Sequence, residues 1–202
     1  MKLDPLVVKT ALDVAYNPAQ YWEARAAAGV SVAPGELGAM GENMVAWLDE
    51  LKAHMGYMLE VGPGDGRIYR HLREYGITQA CDYVACDISP VLRGQMAIRT
   101  GIRPDLWDGV TLPYEDDSYD WLILYSVLLH VPPADIKAFM AEMVRVMRKY
   151  IFISTYNGPR EGLAPHCFLH NYTQLFIDNR LRIVKQKPFV LDQQIQWVLT
   201  RK

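Results

Sequence analysis

Cysteine is scarce in this chain: 202 residues hold three, Cys81, Cys86 and Cys167, an odd number with no CxxC pair. That argues against a disulfide framework and a zinc knuckle, and makes a reducing compartment, the cytoplasm, the expected setting. Long apolar runs are missing as well. No stretch approaches the roughly 20 apolar residues that span a bilayer. The start, Met1-Lys2-Leu3-Asp4-Pro5, carries no apolar core ahead of a small-residue cleavage site, so no membrane partner is expected. Positive charge is not in excess: 21 Lys and Arg face 23 Asp and Glu, a net charge of −2. A nucleic-acid partner, which calls for a basic footprint, is disfavoured. Internal repeats, low-complexity tracts and linkers are lacking. What remains is half apolar and 22% charged, the balance of a globular protein. At this length a fold hides roughly 70% of the surface its unfolded chain exposes, so one domain with its own core is expected.

The first 55 or so residues read as helices. Asp4-Pro5 and Asn17-Pro18 each pair a capping residue with a first-turn proline. The first opens a segment with Leu6, Val7, Ala11 and Val14; the second runs through Tyr21, Trp22 and Arg25 to Gly29. Residues 35–54 carry Met40, Met44, Trp47, Leu48 and Leu51 near helical spacing. Residues 1–55 are thus expected to form a helical cap, or lid, on a core at 56–202 within the same domain. From Tyr57 strands and helices alternate. Strands are expected at Tyr57–Val61, 82–86, weakly at 102–107, at Tyr119–Tyr125 and at 150–155. Helices are expected at 66–75, from Ser89-Pro90 towards Gly101, and from Pro133 through Met147. Such alternation with short connections implies a doubly wound, mostly parallel α/β sheet with helices on both faces. A helix near 173–179 and two final strands, 181–190 and 195–201, follow. Their link is too short for a parallel crossover, so they should pair antiparallel.

The strongest local signal is Glu60-Val61-Gly62-Pro63-Gly64-Asp65-Gly66, where the first strand turns into a helix. Alternating glycines allow a tight turn and let a ligand lie against the backbone, and the helix start supplies free N–H groups. Arg67 stands where a dinucleotide fingerprint would place its last glycine. A βα turn without a ligand is the structural alternative. Asp87 ends the second strand, placed to accept hydrogen bonds from both hydroxyls of a ribose. Asp108, after the weak third strand, is placed to accept from an adenine amino group. Each alone reads as a cap or turn residue; together they surround the crevice where such sheets bind ligands.

From Tyr57 onward the chain resembles the class I S-adenosylmethionine-dependent methyltransferases. The run 60–66 is similar to the family's first motif, Asp87 to the acidic residue after its second strand. Leu112-Pro113-Tyr114-Glu115-Asp116-Asp117-Ser118-Tyr119-Asp120 resembles the stretch leading into the fourth strand, and Ser126-Val127-Leu128-Leu129-His130-Val131 the segment that follows it. The resemblance implies a seven-stranded Rossmann-like sheet whose last strand is inserted antiparallel. It implies S-adenosyl-L-methionine as cofactor, held by Glu60, Gly62, Gly64, Asp65, Gly66, Asp87, Ile88, Asp108, Gly109 and Ser126. The Tyr21-Trp22-x-x-Arg25 run is similar to lids whose arginine meets the methionine carboxylate, which adds Tyr21 and Arg25; packing is the other reading of these aromatics.

After the fourth strand there is no Asn-Pro-Pro-Tyr tetrapeptide, no Pro-Cys pair and no carboxylate at Ser126. This argues against amino-directed nucleobase or glutamine methylation, a covalent cysteine mechanism and a metal-dependent catechol-type site. Methyl transfer from a sulfonium is an in-line displacement that needs alignment above all and a base only where the acceptor keeps its proton. His130 is the candidate base, with support of the following Val131-Pro132-Pro133 turn as its structural alternative. Tyr156, His166 and His170 are the candidate acceptor contacts. His166 and His170 would share a face if helical, as a metal site needs, but their segment reads as loop and no metal is expected. The expected function is methylation of an oxygen or nitrogen on a small-molecule acceptor. The alternatives are a protein or RNA methyltransferase and a non-catalytic module that binds the cofactor or a nucleoside.

Overall fold

Of the 202 residues, the computed structural model describes 16–29, 37–54, 56–157, 166–189 and 193–202. The strands are β1 (Tyr57–Val61), β2 (Asp82–Asp87), β3 (Asp105–Leu106), β4 (Tyr119–Tyr125), β5 (Met147–Tyr156), β6 (Leu181–Phe189) and β7 (Gln194–Arg201). The helices are α1 (Pro18–Ala27), α2 (Gly38–Glu50), α3 (Arg67–Glu74), α4 (Pro90–Thr100), α5 (Ile136–Val146) and α6 (Tyr172–Asp178), with a 3-10 turn at Leu128–His130. The strands form one sheet in the order β3-β2-β1-β4-β5-β7-β6. The first five run parallel, and β7 lies antiparallel to both β5 and β6. This is the expected seven-stranded, Rossmann-like arrangement. Strand order reverses between β1 and β4, which opens a crevice at the carboxyl ends of the central strands. No helix among the described residues is long and apolar enough to cross a membrane.

All seven residues of β4 are buried, and its alternation divides the core between the two faces of the sheet. Leu122 and Leu124 join Phe139, Met140 and Met143 of α5 and Leu175 and Phe176 of α6. Trp121, Ile123 and Tyr125 join Ile68 and Leu72 of α3 and Met44 and Leu48 of α2. The second of the two N-terminal helices described is therefore part of the sheet's packing layer, while α1 stands beside the crevice. The helix expected from Asp4-Pro5 lies outside the described residues.

Two of the three proline signals within the described residues act as local chemistry dictates. Asn17 Oδ1 accepts the N–H of Gln20 at 3.1 Å, and Ser89 Oγ that of Leu92 at 3.2 Å. The third differs. The segment after Pro133 is a turn, Ile136 N–H bonds Pro132 O at 3.1 Å, and α5 begins only at Ile136. At its far end Met147 belongs to β5 rather than to the helix, because its backbone is extended and pairs with Tyr119. The third strand shrinks to two residues, since Pro104 just before it has no N–H to give a ladder.

The stretch 112–120 is a structural staple. Arg145 donates to the carbonyls of Leu112 and Tyr114 at 3.1 and 2.8 Å. Asp120 accepts the N–H of Tyr57 at 3.1 Å and pairs with Arg148 and Lys149 at 3.2 and 3.1 Å. These contacts tie the starts of β1, β4 and β5 together at the end of the sheet away from the crevice.

Candidate active site

A cavity of about 520 Å³ occupies the crevice at the carboxyl ends of β1, β2 and β4, under α1. Its floor is the glycine turn. Gly62 and Gly64 have φ of 69° and 59°, a left-handed backbone that L side chains resist. A Cβ at Gly62 would also lie 3.0 Å from Val127 Cγ2. The turn is locked by Asp87, whose two carboxylate oxygens accept the N–H groups of Gly64 at 3.0 Å and Ser89 at 2.9 Å. Burial pushes the Asp87 carboxyl up to about 6, against the pull of those N–H donors. Glu60, likewise buried, accepts the Tyr83 hydroxyl and is raised to about 7 by burial. Ser126, at the tip of β4, is held at φ 58° with its N–H on Ser154 O at 2.7 Å. A non-glycine in that region carries strain, which concentrates at functional sites.

The other end of the cavity is aromatic and imidazole-rich. His130 stands at the end of the 3-10 turn after β4, with Trp22 edge-on at 4.8 Å and the His166 ring nearly parallel at 5.3 Å. His130 Nδ1 lies 3.1 Å from His166 O. A carbonyl only accepts, so Nδ1 carries the hydrogen and the lone pair is on Nε2. Burial depresses the His130 pKa to about 4, and burial together with Arg25 also lowers that of His166; both rings are neutral near pH 7. The α1 segment is bound to this wall. Tyr16 donates to His130 O at 3.1 Å, Tyr21 Oη lies 3.0 Å from His166 Nε2, and Arg25 Nη1 donates to Tyr21 Oη at 3.2 Å. Two buried donors, Arg25 Nε and Trp107 Nε1, have no hydrogen-bond partner among the described residues, and both residues line the cavity. Buried donors left open in this way await an acceptor.

Residues 59–152 match the family model described as "Methyltransferase domain". Among solved structures, magnesium protoporphyrin IX methyltransferase from Synechocystis PCC 6803 with bound SAM is similar at 16% identity, over 94% of this chain and 99% of that one, with TM-score 0.69. A SAM-dependent methyltransferase from Leishmania major is similar at 16% identity over 95% and 89%, with TM-score 0.69. A chain of the Haloferax volcanii complex between the Trm112 methyltransferase activator and a methyltransferase matches at 16% over 89% and 96%, with TM-score 0.63. No curated protein matches the sequence. Residues 59–152 thus resemble a methyltransferase domain, and the fold of the chain is that of the solved methyltransferases.

S-adenosylmethionine, which the Synechocystis structure holds, fits this cavity. The volume is that of a small-molecule site, the glycine turn offers bare backbone, and Asp87 keeps lone pairs beyond the two it uses. Of the residues singled out in the sequence, Glu60, Gly62, Gly64, Asp65, Asp87 and Ile88 line the cavity. So do Gly109, Ser126 and Arg25, and His130, Tyr156 and His166. Four stand back from it. Gly66 caps α3 at φ 85°, where a Cβ would press on Met96 and Thr100 at 2.9 Å. Tyr21 orients His166 and Arg25. Asp108 is exposed and spends one oxygen on the N–H groups of Val110 and Thr111 at 2.8 and 2.9 Å, which hold its carboxyl below the usual range. His170 Nε2 sits 3.1 Å from Leu128 O and supports the 3-10 turn; it shares no helical face with His166, whose segment is irregular. Trp107 and Cys167 also line the cavity, although the sequence did not single them out as site residues. Trp107 was legible as an aromatic one residue before Asp108; Cys167 had no local signal.

Helix α1 is fastened at a second point. Glu23 accepts Ser89 Oγ at 2.7 Å and Val91 N–H at 3.3 Å, a carboxylate at the positive end of α4. Cofactor filling the cavity beneath α1 should therefore raise hydrogen-exchange protection across residues 18–27 as well as at the glycine turn. Protection confined to 62–66 would make α1 packing rather than lid.

Proposed function

We propose that this chain transfers the methyl group of S-adenosylmethionine to an oxygen or nitrogen of a small metabolite in the cytoplasm. The observation carrying this reading is the single cavity that runs from the Gly62–Gly64 turn to the His130–His166 wall beneath α1. Donor and acceptor ends share one roofed space of metabolite size, and the chain's slight net negative charge supplies no basic footprint for RNA. When bound, the cofactor supplies an electrophilic methyl on a sulfonium. The chain's part is to align it: the glycine turn and Asp87 position the nucleoside, and Arg25 receives the carboxylate. Such orientation is worth roughly 7–11 kcal/mol of a barrier. His130 Nε2 takes the acceptor's proton as the new bond forms. An oxygen or nitrogen gaining a methyl becomes far more acidic, so even an imidazole of depressed pKa serves as the base.

Incubation of the purified protein with methyl-labelled cofactor and fractionated lysate tests the reading. Label is expected on a low-mass compound. Label on protein or RNA overturns the acceptor class, and cofactor binding with no label anywhere overturns transfer itself.

A further inference from the structure

The aromatic end of the cavity also holds three metal-binding side chains from distant parts of the chain. One donor atom from each of His130, His166 and Cys167 lies within 4.8 Å of the other two. Cys167 Sγ is 3.9 Å from His130 Nδ1, and the two imidazoles face each other at 5.3 Å with 20° between their planes. A buried Nδ1 of His166 has no hydrogen-bond partner among the described residues, while its Nε2 is held by Tyr21 Oη at 3.0 Å. Metal-ligating histidines show this division, one nitrogen orienting through a neighbour and the other presented to the ion. All three side chains line the cavity.

We propose that His130, His166 and Cys167 form a site for a divalent transition-metal ion, Zn²⁺ by its donor set, with the fourth position open to the methyl acceptor. Two imidazoles and one thiolate suit the borderline-soft Zn²⁺. Three protein ligands and one open position are the pattern of reactive rather than structural zinc. With bonds of about 2.0–2.3 Å, the donors need to draw in by roughly an ångström, a shift that side-chain rotation at His130 and Cys167 supplies. Binding releases the Cys167 proton to solvent, moves the His130 hydrogen from Nδ1 to Nε2 and frees His166 O. The thiolate also offsets the charge of Arg25 nearby. An acceptor hydroxyl entering the fourth position gives its proton to solvent. Its lone pair then forms the bond to the methyl carbon, and the sulfonium leaves with the electrons of the broken bond as a neutral thioether. This use of the ion rests on the methyl-transfer reading above, with the ion replacing His130 as the group that activates the acceptor; the ion's binding does not.

The test uses the full chain, stripped with a chelator and titrated with Co²⁺ alone. One equivalent should give visible bands of tetrahedral cobalt and a near-ultraviolet thiolate-to-cobalt band, both abolished by Zn²⁺. Cys167→Ser should remove the thiolate band, and Tyr21→Phe, which keeps the ring but loses the hydroxyl on His166, should weaken Co²⁺ binding by about 10–100-fold. Wild-type protein without a thiolate band overturns the proposal, whether or not the variants fold. So does a thiolate band that survives Cys167→Ser. Calorimetry with S-adenosylhomocysteine on the same samples separates the two readings. Cofactor binding without a cobalt site removes only the metal; a cobalt site without cofactor binding removes only the methyltransferase assignment.

Discussion

His130→Ala is expected to lower turnover by about 10²–10⁴-fold, the range for loss of a positioned proton acceptor, while leaving cofactor affinity nearly unchanged. The two halves of that result come from where the residue sits. His130 ends the 3-10 turn after β4, walled by Trp22 and His166. The proposed cofactor cradle lies instead at the β1 turn and the end of β2. Nδ1 is engaged with His166 O, so Nε2 is the nitrogen with a lone pair to offer. His130→Gln preserves hydrogen bonding but accepts no proton near pH 7, and should be almost as damaging as alanine. A glutamine variant with most of its activity would reduce His130 to orienting the acceptor or supporting the Val131-Pro132-Pro133 turn. Single-turnover kinetics on the identified acceptor, beside calorimetry with S-adenosylhomocysteine, measures both halves.

The same variant is damaging whether His130 takes a proton or holds an ion, and Cys167 tells the two apart. A proton acceptor at His130 needs nothing from Cys167, so Cys167→Ser should then retain wild-type turnover. An ion at that end makes turnover fall with the thiol and makes it sensitive to chelation in the parent protein. The measurement thus joins the spectroscopic site to the chemistry without altering the cofactor cradle.

Much of this fold was legible because its determinants are local. Apolar runs marked β1, β2 and β4, and Asn17-Pro18 and Ser89-Pro90 marked helices because each cap bonds an N–H three residues on. Where a boundary depended on distant pairing, sequence pattern fell short. Met147 continues the helical apolar stripe of α5, yet its pairing with Tyr119 draws it into β5. Pro133 has the look of a first-turn proline, but the tight turn at Pro132 delays the helix. Residues 35–54 have the periodicity of a surface helix, and only the sheet shows Met44 and Leu48 sealed against Trp121 and Phe152. The site divides in the same way. The glycine turn and Asp87 carry their roles in contiguous motifs, whereas His130 and Cys167 are 37 residues apart and no spacing rule brings them together. Asp108 has a local turn to stabilise, which takes its carboxylate away from the cavity that its neighbours Trp107 and Gly109 line.

Asp87→Ala should weaken binding of S-adenosylhomocysteine by about 1.5–3 kcal/mol, the scale for hydrogen bonds to a charged group and roughly 10- to 150-fold in affinity. Asp87 accepts the backbone of Gly64 and Ser89, which shapes the turn, and in the proposed function its remaining lone pairs go to the ribose. Asp87→Asn keeps one acceptor oxygen for the turn and removes the charge, so it should retain the fold and lose most of the affinity. The charge also sets a pH dependence whose sign follows from burial. In the free protein the Asp87 carboxyl is raised to about 6, above the usual aspartate value near 3.9. Its effect on folding stability is therefore most favourable at acid pH and fades as pH rises through about 6. Binding runs the other way, because hydroxyls donating to the carboxylate favour its charged form and the complex releases a proton. Affinity should rise with pH from 5 to 7, by at most tenfold per unit for a single proton, and level off above. Glu60, raised to about 7, contributes to the upper part of that window, so Glu60→Gln serves as its control. Calorimetry across pH 5–8 in buffers of different ionisation enthalpy reads affinity and proton release together. A flat profile in the parent protein, or an unchanged slope in Asp87→Asn, would show that this carboxylate does not meet the cofactor.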